Sequence, residues 1–423
     1  MLALLFAGNL LNFYDRTIPA IVVEPIKAEF GLSDAEIGLI TAAFTIVYAL
    51  FGIPLGRLAD RSSRRAVLAI GLAVWSLLTA VTGFVGGFAT LVMVRLLLGV
   101  GEASFAPAAN SLVADLYPPD QRARATGRWQ LGLPVGLVLA FFTVGAITDA
   151  FDSWRAAFFV AALPGLVVAG LLAFIREPAR GASEAAPVAT AQVNSPIRSL
   201  LRVRTLWWLV LAGIGSQIAS YAVATFSVPL FQRHFHTGLA MGATFAGIMI
   251  ALTGLVGLTL GGRIADRASR RSPAGRVLTG AYGVLAAVPL TAAAFIVASD
   301  MPVLFVIVFS AGWLPQYLYF TAAYPAVADV VEPRLRGTAM AVFLAASYLL
   351  GGAFGPPIAG ALSDRFAASQ DLSVDAAAAY GLHLSLAIVI PAGLLIGAAG
   401  LFGAARCVTR DRERMRISLR AAR

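Results

Sequence analysis

Cysteine, histidine and charge are all scarce in this chain. One cysteine, Cys407, and three histidines occur in 423 residues. A single thiol excludes an internal disulfide and any cysteine-rich metal site. His234, His236 and His383 have no second His or Glu at i+3 or i+4, so no metal is expected and these are read as loop or interface histidines. Only 13% of residues are charged, against about 25% in a typical soluble domain. So little charge cannot cover a water-exposed surface, which excludes a soluble enzyme. The hydropathy is equally wrong for a disordered chain. No Gly-x-x-x-x-Gly-Lys-Ser/Thr loop is present to bind ATP, and no Gly-x-Ser-x-Gly nucleophile turn.

Apolar residues make up 59% of the chain, in long runs. A membrane helix needs about 20 of them, and twelve such runs can be counted, from 1–25 to 378–405. Runs of this length exclude a β-barrel, whose strands alternate and last only about ten residues. Asp15 and Arg16 interrupt the first run, so it reads as a permanent helix rather than a cleaved signal peptide. No basic residue precedes that run, which leaves room for a short natural tail ahead of Met1.

The net charge of +10 is explained by where the arginines lie. They gather in alternate loops, around Arg57–Arg65, Arg122–Arg128, Arg176–Arg204, Arg263–Arg276 and Arg334–Arg336, and in the tail from Arg406 to Arg423. This is the positive-inside pattern, and it predicts both termini in the cytoplasm of a multi-pass protein of the inner (plasma) membrane. No basic segment is interleaved with aromatic residues, so nucleic acid is not an expected partner.

One long hydrophilic stretch, 176–203, rich in Ala, Ser, Gly and Pro, has the composition of a linker. It divides the chain into an expected six-helix bundle at 1–175 and another at 204–408, followed by a basic tail at 409–423. The halves repeat each other. Gly56-Arg57-Leu58-Ala59-Asp60-Arg61-Ser62-Ser63-Arg64-Arg65 returns as Gly262-Arg263-Ile264-Ala265-Asp266-Arg267-Ala268-Ser269-Arg270-Arg271, with eight of ten residues identical at an offset of 206. Asp115, Pro119 and Arg122 return as Asp329, Pro333 and Arg336 at an offset of 214. A shift of six helices preserves orientation, giving parallel repeats about an axis along the membrane normal. Transporters built this way bind substrate between the halves at mid-membrane and rock one half against the other.

The loop Gly56-x-Leu58-Ala59-Asp60-Arg61-x-x-Arg64-Arg65 and the helix Arg95-x-x-x-Gly99-x-Gly101-Glu102 resemble the signatures of the major facilitator superfamily. Together with Asn12-Phe13-x-Asp15-Arg16, Trp75-Ser76-x-x-Thr79, Gly99-x-Gly101-Glu102-Ala103-Ser104 and Asp120-Gln121-Arg122-x-Arg124, they resemble its Spinster-like subfamily. The resemblance covers essentially the whole chain. It implies an all-α integral membrane fold of twelve transmembrane helices in two pseudo-symmetric six-helix bundles. It also implies a transporter rather than an enzyme, and association with lysophospholipid or sphingoid transport, proton-coupled in the bacterial members. No cofactor is expected beyond the proton gradient. A charge lock at the cytoplasmic gate is implied for Asp60, Arg64 and Asp115 and, by the repeat, for Asp266, Arg270 and Asp329. Asp60 and Arg64 stand at i, i+4 and could pair if the second helix continues that far.

Ionisable groups at bilayer depth cost a few kcal/mol and are functional candidates by default. Asn12, Asp15 and Arg16 share one face of the first helix, and Arg95, Gly99 and Glu102 one face of the fourth. Seven residues separate Arg95 from Glu102 by about 10 Å along the axis, so pairing between helices one and four is expected. Asp15 is read as the main proton acceptor with Arg16 modulating it, and Glu102 with Arg95 as a second coupled pair; the alternative is a set of static ion pairs. The second half carries amide and aromatic groups instead: Gln217, Tyr221, Trp313, Gln316, Tyr317, Tyr319 and Tyr348. With Asn12 these are the expected cavity residues, and Pro315 and Pro325 predict a bent tenth helix. A cavity polar on one side and aromatic on the other suits an amphiphile, while a small organic or sugar acid is the alternative. The expected partners are therefore protons, a lipid or small-molecule substrate and the bilayer, with the protein a monomer.

Overall fold

The computed structural model describes residues 1–179, 200–297, 300–332 and 335–421; the side chains of a few positions within these ranges, Asp60 among them, lie outside the description. Every element among the described residues is helical. Twelve rods follow one another: α1 (Leu2–Ile21) and α2 (Asp34–Arg61), then α3 (Arg64–Thr82), α4 (Phe88–Leu116), α5 (Arg124–Phe151) and α6 (Trp154–Phe174). After the linker come α7 (Arg204–Arg233), α8 (Leu239–Arg271), α9 (Gly275–Val297), α10 (Pro302–Asp329), α11 (Arg336–Ala368) and α12 (Val374–Ala421). Eleven are long and apolar enough to cross a membrane. The remaining rod, α1, has 20 residues, which suffices in length, but Asn9, Asn12, Asp15 and Arg16 dilute its hydropathy.

Local chemistry sets the ends. Ser33 opens α2 with a capping box: its hydroxyl accepts from the Glu36 N–H at 3.2 Å, while its own N–H donates to Glu36 Oε2 at 2.8 Å. Ser63 caps α3 in the same way by accepting from the Ala66 N–H. A short helix Val23–Phe30 extends α1 and stops at Gly31, whose φ of 64° is the left-handed conformation glycine tolerates.

Several rods are interrupted. α4 breaks for one residue at Ser104, α5 at Leu131 and α10 at Tyr317, two residues after Pro315, so α10 is interrupted where its prolines predict a bend. Among the described residues two π-helical turns occur, Ile248–Leu252 in α8 and Tyr348–Gly352 in α11.

The chain divides into two compact units, Met1–Thr190 with Thr237–Gly247, and Ala191–His236 with Ile248–Arg423. Within the first, α1 lies directly against α5. A Cβ added at Gly132 would stand 2.6 Å from the Phe6 carbonyl oxygen, so only glycine permits that approach. In the second unit, α7 crosses α12 where Gly215 and Gly393 meet, and a Cβ on Gly393 would lie 2.8 Å from the Gly215 carbonyl. Lipid offers no hydrophobic drive between helices, and close backbone contact at small residues supplies van der Waals attraction instead.

Candidate functional site

The first unit encloses a charge cluster built from α1, α3 and α4. Asp15, Arg95 and Glu102 are all buried, as is Asn12. Glu102 is the hub. Its Oε2 accepts from Arg16 Nε at 2.6 Å and from Asn12 Nδ2 at 3.0 Å. The Arg16 guanidinium is also stacked on aromatic faces, 3.9 Å from the Tyr48 ring centroid and 5.0 Å from that of Phe44, an arrangement that favours a planar cation. Asp15 Oδ2 accepts from Thr79 Oγ1 at 3.3 Å, and its Oδ1 has no hydrogen-bond partner. Arg95 lies over the Phe158 ring at 5.4 Å, with Nε and Nη2 unpartnered. It is within electrostatic range of both Asp15 and Glu102.

The pair expected between helices one and four is present, but its members differ from the assignment of Arg16 to Asp15 and Arg95 to Glu102. Arg16 binds Glu102 rather than Asp15, and among the described residues Glu102 makes no ion pair with Arg95. Helical geometry explains the change: Asp15 and Arg16 are adjacent and point about 100° apart, so Arg16 turns to α4 while Asp15 turns to α3. Asn12, expected in the cavity, is engaged by Glu102. Asp15 is left with the Thr79 hydroxyl, the Trp75 indole close by and a nearby cation it does not touch.

At the arginine-rich end of this unit, α2 stops at Arg61 and Arg64 is the first residue of α3. The i, i+4 relation of Asp60 to Arg64 thus does not exist on one helix, and the Asp60 side chain lies outside the described residues. Arg64 forms an ion pair with Asp115 through Nη1. Its Nε donates to Glu177 Oε1 at 2.8 Å, and its Nη2 to the Pro178 carbonyl at 2.8 Å. Glu177 also accepts from Ser63 Oγ at 2.5 Å and from the backbone N–H of Arg64 at 3.0 Å. Sequence reasoning passed over Glu177 as linker; the one available signal was a lone acid between Arg176 and Pro178.

Burial pushes the Glu177 carboxyl up, but the Ser63 and Arg64 donors outweigh it and hold it at about 2. A depressed acid contributes its docking energy above its ordinary range near about 4.3 and loses it only as pH falls through the lowered value. Docking of Glu177 is thus expected to be constant across neutral and mildly acidic pH. Glu177→Ala should raise the rate of trypsin cleavage after Arg176 several-fold at pH 8, and an unchanged rate would show that the acid does not hold the segment.

In the second unit Asp266 and Asp329 converge on Arg276, at 3.2 Å from Nη2 and 3.3 Å from Nη1. This corrects the assignment of Arg270. The offset of 206 matches the loop residues, but α9 opens only at Gly275, and Arg276 stands at its start as Arg64 does in α3. The arginine offset is then 212, near the 214 that relates Asp115 to Asp329. Longer loops shift helix starts, and spatial equivalence follows the helix.

The aromatic and amide residues of this unit fall into two groups. Trp313 and Tyr319 are fully buried, Trp313 stacked on Phe309 at 5.5 Å and Tyr319 against Phe320 and Tyr324. Gln217 is buried on α7, and Gln316 donates through Nε2 to Ser220 Oγ at 3.2 Å with its Oε1 unpartnered. Tyr221 and Tyr348 meet edge to face at 6.1 Å, and Tyr317 donates its hydroxyl to the Ile250 carbonyl at 2.7 Å. His234 and His383, 149 positions apart, stack in parallel with centroids 4.2 Å apart; nothing in their sequence spacing signals this.

Eleven helices long and apolar enough to cross a membrane, joined to a buried charge cluster, fit a membrane transporter. The model of the Major Facilitator Superfamily matches residues 5–356, and the chain belongs to that superfamily. Within it the chain is of the Spinster type. It is 31% identical to human protein spinster homolog 1 over 99% of this chain and 82% of that protein. It is also 30% identical to an MFS-type efflux pump of Mycolicibacterium smegmatis, over 92% of this chain and 88% of that one. Among solved structures, a bacterial homologue of the human lysosomal transporter Spinster, inward-facing and unoccupied, superposes with a TM-score of 0.89 at 28% identity over 97% of both chains.

Proposed function

We propose that the protein is a proton-coupled secondary carrier working by alternating access, with Asp15 as the residue that gains and loses the proton. One observation carries this reading: a buried carboxylate with one oxygen unpartnered, while the neighbouring acid Glu102 holds the arginine that could have neutralised it. A permanently ionised carboxylate at this depth calls for full pairing, whereas a group that alternates between charge states needs an incomplete one. In this reading Arg16, Glu102 and Arg95 set the field that Asp15 feels. The clusters Arg64–Asp115 and Arg276–Asp266–Asp329 serve as locks, since ion pairs across moving elements make an arrangement bistable.

For the substrate, we infer an amphipathic lipid-like molecule of lysophospholipid or sphingoid type. Tyr221 and Tyr348, half-buried and edge to face, offer an aromatic surface with few hydrogen-bonding groups, and the likeness to Spinster proteins supports the same class. A small organic or sugar acid is the second reading, favoured only by the arginines. Both termini are proposed to be cytoplasmic, in the inner membrane, on the distribution of arginines. The test is a pH jump on proteoliposomes holding a reporter of internal pH. Proton flux that depends on added lysophospholipid is the expected result. Flux with sugar acids alone would transfer the assignment to the second reading, and flux with neither would reject proton coupling to these classes.

A further inference from the structure

At the arginine-rich end of the second unit, the end of α8 and the start of α9 enclose an open groove of about 470 Å³. Arg267, Arg271, Ser272 and Thr279 supply its polar wall, and Ile264 and Tyr282 its apolar one. Arg267 and Arg271 stand at i, i+4 on the same helix face. Among the described residues neither makes an ion pair or a side-chain hydrogen bond, and no acid lines the groove. Both cations are thus left to an outside partner.

The apolar wall says what that partner is. Ile264 is 46% exposed and Tyr282 62%, and Leu260 and Leu285 continue the exposed apolar surface along the same two helices. In a membrane rod such a surface faces hydrocarbon, and a tyrosine below a pair of arginines marks the headgroup level. A free phosphate ion would use the arginines and hydroxyls but gain nothing from the apolar wall. We propose that the groove binds one anionic phospholipid of the leaflet on the arginine-rich side. Its phosphate would lie between Arg267 and Arg271, its glycerol near Ser272 and Thr279, and an acyl chain along Ile264 and Tyr282. Two cations with no compensating acid select an anionic headgroup over a zwitterionic one. Arg267 in the groove wall is the residue after Asp266, so an occupying lipid would act on the Arg276 cluster through α8.

The test is independent of transport. Purified, delipidated full-length protein is titrated with phosphatidylglycerol, phosphatidylcholine and inorganic phosphate, and bound molecules are counted by native mass spectrometry. One phosphatidylglycerol should be retained in preference to phosphatidylcholine. Its affinity should fall roughly tenfold or more in R267Q/R271Q, at about 1 kcal/mol for each basic residue near a lipid surface. The charge-conserving R267K/R271K and the tail variant R406Q/R410Q should keep it. Unchanged affinity in R267Q/R271Q, equal loss in R406Q/R410Q, equal retention of phosphatidylcholine, or displacement of the lipid by inorganic phosphate would each overturn the proposal.

Discussion

Replacing Asp15 by Asn is expected to reduce proton-driven transport to the level of empty liposomes while counterflow of substrate down its own gradient continues. The amide preserves shape and can still accept from Thr79, so the bundle has no reason to rearrange. What disappears is the only feature that separates Asp15 from a structural polar residue, its capacity to change charge. Among the described residues Asp15 forms no ion pair, and its Oδ1 has no hydrogen-bond partner, so the substitution breaks none. Expression and thermal stability should therefore match the parent, and fluorescence-monitored unfolding in detergent checks this. A protein that retains full pH-driven accumulation with Asn at this position would remove Asp15 from the mechanism.

Glu102 should behave in the opposite way. It accepts from Arg16 and Asn12 at once and is almost wholly enclosed. Taking one partner from a buried pair costs about 3–5 kcal/mol, since the other charge stays behind. Arg16 retains some exposure, 17% of its side chain, and aromatic faces to rest on, which places Glu102→Ala toward the lower end of that range. The expected outcome is a fall of several degrees in the unfolding temperature together with loss of transport. Arg16→Met combined with Glu102→Leu should restore most of the temperature and none of the transport, because hydrophobic residues of similar volume can replace a buried pair without loss of stability. Recovery of transport in the double variant would mean that the pair serves packing alone.

The bundle architecture was legible because lipid leaves so few choices: twelve apolar runs, a duplicated basic loop and a bias in arginine placement lead to one plan. The presence of a cluster on α1 and α4 was legible for the same reason, since charges at that depth are rare enough to count. Partner choice was not. Asp15 and Arg16 are neighbours in sequence yet face different helices, and no spacing rule reports which way each will turn. Matching the two loops letter by letter leads to Arg270, whereas the helix starts lead to Arg276. Glu177 was hidden by its setting, an isolated acid at the edge of a stretch with linker composition. The His234–His383 stack joins helices distant along the chain and has no local signature at all.

The π turn at Ile248–Leu252 has a consequence for everything beyond it. A wide turn holds one residue more than an α-helical path would, and the Tyr317 hydroxyl caps the Ile250 carbonyl within it. That surplus residue sets the rotational phase of the lower half of α8. Deleting it would restore a continuous helix and swing Asp266, Arg267 and Arg271 about 100° around the axis, carrying the carboxylate away from Arg276 and the two arginines away from their groove. A single widened turn thus fixes which side of the rod meets its neighbours and which meets the bilayer.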